Sequence, residues 1–342
     1  MKVVIIHLDG MGFNYFKKSN LEFAKSLKGK LFRMKINPGY FTNEVSLFTG
    51  ISEKIHKTKD LFDLGLPSNP FNNNFTNFIP QKLIRFFAFL FGYKTYININ
   101  PPKHYYKLFS PVTKIHPYNL PESFLTILKS KGIKTKYISS LFFNLGYIKN
   151  SIKKNDCVYA NNMDYDNLLH CYGPNYFPDT GIDTLIEDLY IFLAKTYKEF
   201  RVIILSDHGM VNVKGKIPIN LKEDQISFVD STILRTWNYK NFNRNIKNTE
   251  LLESGYDGTY HYKRYVAKEG FIFSPNFFQG TKSIKGMHGY NSKNDSDNDA
   301  FLLIHGPSFE NQTKKCRIVD VAPTILSLFG INKPSFMEGR VL

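Results

Sequence analysis

The chain has 342 residues, 42% of them hydrophobic, which is enough for one large α/β domain with an inserted lid or for two smaller domains, and argues against disorder. Its formal charge of +16 favours anionic partners such as phosphates, nucleic acid or acidic lipid without choosing among them. Cys157, Cys171 and Cys316 have no paired spacing, which argues against a disulfide framework and leads to the expectation of a reducing, cytoplasmic setting.

The first element begins at once. Val3-Val4-Ile5-Ile6 is too short for a signal-peptide core and runs into His7-Leu8-Asp9-Gly10, so Lys2–Leu8 reads as a core strand. Residues 57–120 are rich in Pro, Asn and aromatics, with one very apolar helix expected at about 81–93. No apolar run reaches the roughly 18 residues of a membrane span. Further strands are expected at 134–139, 156–161 and 201–205. Between the last two, 179–199 repeats apolar residues at helical spacing. Residues 215–285 mix polar loops with short strand-like runs. A strand follows at Ala300–His305, then a helix at 319–329 with Pro323 near its start, where a missing N–H costs little. The alternation predicts a mostly parallel sheet with helices on both faces. The whole of 1–342 reads as a single catalytic domain with lid insertions at about 57–120 and 215–285.

Four short segments carry chemistry, most of them at strand ends, where open α/β sheets place their sites. Asp9 follows the first strand and precedes Gly10-Met11-Gly12; it could ligate a metal or cap a helix. Asp166 and His170 lie four apart, a spacing that brings both to one ion on a helical turn but also suits a surface pair. Ser206-Asp207-His208-Gly209 follows the 201–205 strand; adjacent Asp and His can converge in a loop, although a capping Asp with an incidental His is the alternative. His288 sits between Gly286 and Gly289, in a loop that either presents it to a cleft or is a plain turn. Together these are three carboxylates and three imidazoles, a donor set that suits zinc, and manganese or iron less specifically. Six ligands suffice for two divalent cations with open positions, an arrangement suited to phosphoryl transfer.

These segments give the chain a resemblance to the type I phosphodiesterase/nucleotide pyrophosphatase family of the alkaline phosphatase superfamily. The matching residues are Leu8-Asp9-Gly10, Ser46-Leu47-Phe48-Thr49-Gly50, Asp166 and His170 with Tyr172-Gly173-Pro174, Ser206-Asp207-His208-Gly209-Met210, Met287-His288-Gly289-Tyr290 and Val319-Asp320-Val321-Ala322-Pro323-Thr324. They stand in family order from residue 8 to the tail at Gly339-Arg340-Val341-Leu342. The resemblance implies an alkaline phosphatase-like three-layer sandwich. It implies one zinc held by Asp166, His170 and His288, and a second held by Asp9, Asp207 and His208 beside a nucleophilic hydroxyl.

At that nucleophile the chain departs from the pattern. Counted back without gaps from Thr49-Gly50, the family's position falls on Tyr40, while Asn43 matches an Asn that helps hold the phosphoryl oxygen. Thr42, the nearest aliphatic hydroxyl and a natural N-cap for a helix at 43–48, is preferred as the nucleophile, with Tyr40 as the alternative. The sulfatase branch is disfavoured because no Cys lies near 40–43, and His56 reads as structural.

Other signals are set aside. Asp295-Ser296-Asp297-Asn298-Asp299 imitates an EF-hand start, but Ala300 and Gly306 occupy the positions of the required Gly and Glu. Cys171 reads as a bystander. Aromatic and basic residues at 85–108 read as a lid's own small core, with at most weak peripheral membrane contact. The expected activity is hydrolysis of a phosphodiester or pyrophosphate bond in a small anionic ester, such as a nucleotide, with no specific nucleic-acid binding. The competing readings are a phosphomonoesterase, phosphonate hydrolase or phospho-group transferase, and a non-catalytic anion binder.

Overall fold

The computed structural model describes residues 1–39, 42–58, 62–64, 80, 83, 109–111, 120–220, 226–237, 246–257, 260–279, 283–306 and 312–342. A seven-stranded sheet runs in the order Gln312–Arg317, Gly29–Lys35, Ala300–His305, Phe200–Leu205, Lys2–Leu8, Cys157–Asn162, Thr135–Ile138. Neighbours are parallel except around Ala300–His305, which is antiparallel to both its partners. The expected mostly parallel sheet is therefore present.

Lys2–Leu8 shows why this sheet is buried on both sides. Val3 and Ile5 face one apolar cluster with Phe48, Phe124 and Ile325, whereas Val4, Ile6 and Leu8 face another with Phe16, Leu169 and Leu189. A strand covered on both faces needs a continuous apolar run rather than an alternating one, which is what this segment supplies. Ile182–Thr196 buries Ile182, Ile186, Leu189 and Leu193, one stripe at helical spacing, on the second face. On the first face, a short 3-10 turn at Ile318–Asp320 leads into the helix Val321–Leu328, with Pro323 in its first turn.

Two strands of the sheet, Gly29–Lys35 and Gln312–Arg317, were not expected from the sequence. The first alternates irregularly in burial and the second, Gln312-Thr313-Lys314-Lys315-Cys316-Arg317, is a polar edge strand. Neither offers the apolar run that marks a central strand.

The 215–285 stretch is more regular than its polar sequence suggests. It contains a four-stranded antiparallel sheet ordered Ile226–Val229, Ile233–Trp237, Tyr260–Ala267, Thr249–Asp257. Phe228, Trp237, Tyr262, Phe273 and Met287 belong to its own apolar cluster. In this unit Arg235 is buried with its guanidinium 4.7 Å from the Trp237 ring and 4.7 Å from the Tyr262 ring, and it pairs with Asp257. Arg264, also buried, pairs with Glu53 at the start of the short helix Glu53–His56 and so ties this sheet to the first half of the chain. Of 57–120, the described part includes Phe62–Leu64 paired antiparallel with Phe109–Pro111; of the helix expected at about 81–93, Leu83 is described, in helical conformation, and the rest lies outside the described residues. No helix of the described residues is long and apolar enough to cross a membrane.

Candidate active site

Strand register sets the site. His7 is level with Asn161 on one side and Leu205 on the other, so the residues that follow these three strands emerge together at the carboxyl edge of the sheet. Asp9 leaves the first strand. Asp166 and His170 come from the helix Asp164–Tyr172, just beyond the strand Cys157–Asn162. Asp207 and His208 follow Phe200–Leu205, where Ser206 is held by hydrogen bonds in both directions with the backbone of Phe301. His288 arrives from the far end of the sequence on a short strand, Gly286–Met287, paired with Val211–Asn212. All six line one cavity of about 530 Å³.

The helical spacing of Asp166 and His170 places Asp166 Oδ1 3.2 Å from His170 Nε2. His208 Nε2 lies 3.2 Å from Asp9 Oδ1 and 3.5 Å from Asp207 Oδ2, and 3.9 Å from Asp166 Oδ1. His288 Nε2 is also 3.9 Å from Asp166 Oδ1, and its ring stacks on His208 with centroids 3.5 Å apart. Gly10 makes the crossing possible. Its φ is +76°, and a Cβ there would stand 2.8 Å from the Cα of Asp166.

The donor atoms fit cations better than they fit one another. Asp166 Oδ1 and His170 Nε2 are buried without a hydrogen-bond partner despite their closeness, the geometry expected of two ligands that aim at a third point. The donor atoms of Asp166, His208 and His288 lie within 4.8 Å of one another, as do those of His7, Asp9 and Asp207. His7 has both ring nitrogens engaged: Nε2 lies 3.0 Å from Asp207 Oδ1 and Nδ1 2.9 Å from the Tyr159 hydroxyl. It is thus placed to orient Asp207 rather than to ligate. Similarly, His170 Nδ1 lies 2.9 Å from the Gly286 carbonyl oxygen, which turns Nε2 inward.

Electrostatics divide the groups. Burial opposes ionisation of Asp166, yet His170, His288 and His208 bring its carboxyl down to about 2. Burial would likewise raise Asp207, but His208 and His7 hold it well below the ordinary range. Asp9 goes the other way: burial and the Asp207 and Asp166 carboxylates push it up to about 7. Against burial, Asp207 and Asp9 raise His208 to about 10. Burial, then the charge of His208, keeps His288 well below the usual imidazole value, in the neutral form that binds metals.

The nucleophile segment differs from expectation. Thr42 is not an N-cap but the first residue of the helix Thr42–Thr49; its side chain is fully buried, with Oγ1 donating to the Pro38 carbonyl at 3.4 Å. Asn43 has its amide on the backbone of Asn37, accepting from N at 2.8 Å and donating to O at 3.1 Å, and so clamps the loop. Neither lines the cavity, because both polar ends are satisfied by the preceding loop. Tyr40 lies outside the described residues. His56 is structural as expected, 3.0 Å from Ser46 Oγ through Nε2 while Nδ1 accepts from the Thr58 amide.

Sequence reasoning did not single out His7, Glu44, Tyr137, Asn161, Phe278 or Gln279 as cavity residues. Two had readable signals. His7 shares a strand face with position 9 by the two-residue period, and Glu44 is an acidic residue in the first turn of a helix beside the motif.

The pattern that describes the type I phosphodiesterase / nucleotide pyrophosphatase family matches residues 3–291. Comparison with curated proteins gives no match. Among solved structures, the fold is similar to murine ectonucleotide pyrophosphatase/phosphodiesterase 5, with TM-score 0.65, 13% identity and coverage of 98% of this chain and 96% of that one. An inactive threonine-to-alanine variant of that murine protein in complex with AMP gives TM-score 0.66 and 14% identity, covering 98% of this chain and 96% of that one. The human counterpart gives 0.65 and 15%, again over 98% of this chain and 96% of that one.

Proposed function

Since the chain belongs to the type I phosphodiesterase/nucleotide pyrophosphatase family and is a hydrolase of phosphoester bonds, we propose that it cleaves a phosphodiester or pyrophosphate bond in a nucleotide or related small metabolite, using two divalent cations in this cavity. One observation carries the reading: Asp9, Asp166, His170, Asp207, His208 and His288 meet in one cavity, and buried Asp166 Oδ1 and His170 Nε2 there have no hydrogen-bond partner.

The proposed ligand groups are Asp166, His170 and His288 for one cation and Asp9, Asp207 and His208 for the other. His208 Nε2 lies between them, 3.2 Å from Asp9 and 3.9 Å from Asp166, and its donor atom also falls within 4.8 Å of those of Asp166 and His288. Carboxylate and imidazole donors favour zinc, with manganese or iron as the alternatives. Bound cations supply Lewis acidity toward the phosphoryl oxygens and toward an attacking hydroxyl. The protein's own part is to hold the donors rigid: His7 orients Asp207, and the Gly286 carbonyl orients His170. Tyr137, Met163 and Phe278 add apolar surface to the cavity wall, suited to the organic part of an ester. AMP in the murine relative supports a nucleotide there.

The same relative's inactive threonine-to-alanine variant supports a hydroxyl nucleophile. In this chain Thr42 Oγ1 is held on the Pro38 carbonyl, so the assignment moves from Thr42 to Tyr40, the residue at the ungapped position. The free state of all three cysteines supports the reading of a reducing, cytoplasmic setting. The segment 215–285, which brings Phe278 and Gln279 to the cavity, is proposed as a lid.

Zinc-loaded protein should hydrolyse bis-p-nitrophenyl phosphate. Asp166→Ala and Asp207→Ala should each lower that turnover by more than about a hundredfold while the circular dichroism spectrum persists. Activity unchanged in either variant would remove the site assignment. Tyr40→Phe and Thr42→Ala, compared in the same assay, decide the nucleophile.

A further inference from the structure

We infer that Glu44 sets substrate class at this site, making the cavity favour phosphodiesters, whose reacting phosphoryl group carries one negative charge, over phosphomonoesters, which carry two. The inference rests on the two-cation reading above.

Glu44 lines the same cavity as the six ligand candidates and is in neither group of mutually close donor atoms; unlike His170, it has no ion pair with a ligand candidate among the described contacts. It is the third residue of the helix Thr42–Thr49, in a turn that Asn43 anchors to the backbone of Asn37. Its position is therefore fixed by the loop that precedes it. Asp207, His7 and Asp9, which line the same cavity, are the charged groups that act on it. The phenols of Tyr137 and Tyr159 feel its charge in turn.

Charge balance gives this position its consequence. With neutral imidazoles and the attacking hydroxyl still protonated, the carboxylates of Asp9, Asp166 and Asp207 leave two divalent cations with one uncompensated positive charge. Glu44 in its ionised form cancels it. A site with residual positive charge would attract a dianionic monoester more strongly than a monoanionic diester; a neutral one loses that bias. In the cation-free protein, burial and then the Asp207 and Asp9 carboxylates push Glu44 up to about 8, with His7 opposing. Cations on those two carboxylates would remove that repulsion, and their own charge would oppose the effect of burial, favouring the ionised form. One extra substrate charge several Å from a carboxylate, at the effective dielectric of such a site, changes relative rates by about tenfold or more.

The test uses the zinc-loaded protein and two probes, bis-p-nitrophenyl phosphate and p-nitrophenyl phosphate. Glu44→Gln should lower the diester-to-monoester ratio of kcat/KM by about tenfold, whereas Glu44→Asp should keep it within about threefold. A ratio unchanged in Glu44→Gln, or both rates falling in equal proportion, would overturn the inference. Calorimetric binding of inorganic phosphate gives a readout free of turnover: about tenfold tighter binding to Glu44→Gln is expected, and equal binding overturns the proposal. If zinc-loaded native protein hydrolyses neither ester, the proposed function fails, while the phosphate comparison still judges Glu44. Should Glu44→Gln melt at lower temperature and lose its circular dichroism signal, Glu44→Ala is measured in its place against the same criteria.

Discussion

His7 is the residue on which the carboxylate end of the site turns. Its Nε2 faces Asp207 Oδ1 at 3.0 Å and its Nδ1 the Tyr159 hydroxyl at 2.9 Å, so it transmits the rigidity of the sheet to a ligand. Groups that orient a ligand without touching the metal typically cost 10–100-fold in affinity or activity when removed, so His7→Ala should weaken zinc binding by about that factor. Competition with a chromogenic chelator checks this, and unaltered affinity would demote His7 to core packing. Asp9, Asp207, His208 and His288 were legible because they stand beside glycine or just past a strand, and Asp166 and His170 because their four-residue spacing puts both on one helical face. His7 was not, because it sits inside an apolar run whose emerging edge only the register of three strands defines. The reading of Thr42 rested on sequence proximity to the motif, which does not reveal that its hydroxyl turns back to Pro38.

At the scale of elements, His288 depends on a short strand clamped against the helix Asp164–Tyr172. Lys285 N donates to the His170 carbonyl at 2.9 Å, and the Gly286 carbonyl oxygen in turn meets His170 Nδ1. A Cβ on Gly286 would stand 2.3 Å from the Leu169 carbonyl oxygen, too close for any side chain. Gly286→Ala should therefore force strand and helix apart, lowering stability by about 1–3 kcal/mol and separating His288 from Asp166. Thermal melting together with turnover checks it; an unchanged melt would mean that the contact relaxes freely. Lys2–Leu8 and Ala300–His305 were readable to the residue because burial on both faces demands unbroken apolar runs. Gly29–Lys35, Gln312–Arg317 and the antiparallel sheet of 226–267 were not. Half-exposed strands carry polar residues that, in sequence, look like loops.

Across the whole molecule, residues from 9 to 288 converge only when the sheet is assembled, so the charge cluster is a property of the fold and should govern its pH response. Without cations, His208 is raised from 6.5 to about 10, against burial, by Asp207 and Asp9. The stabilisation it contributes is complete below its unfolded value and is lost as pH rises through the folded one. Asp9, raised to about 7 by burial and neighbouring carboxylates, has the same sign, with its loss beginning nearer its ordinary carboxylate value. Asp166 and Asp207 are lowered by their imidazole neighbours after burial is overcome, so their contribution disappears only in strong acid. Chelator-treated protein should accordingly melt at lower temperature as pH is raised from about 6.5 to about 9, and zinc should oppose that fall by taking the proton's place. A melting temperature that climbs over this window would show that the cluster does not control stability. The proposed function rests on six side chains holding a pair of cations, and elemental analysis of zinc-reconstituted protein freed of excess metal tests this most directly. About two ions per chain are expected for the native protein, with occupancy lost in Asp166→Ala and Asp207→Ala; a native chain that retains none, or variants that retain as much as the native chain, would contradict it.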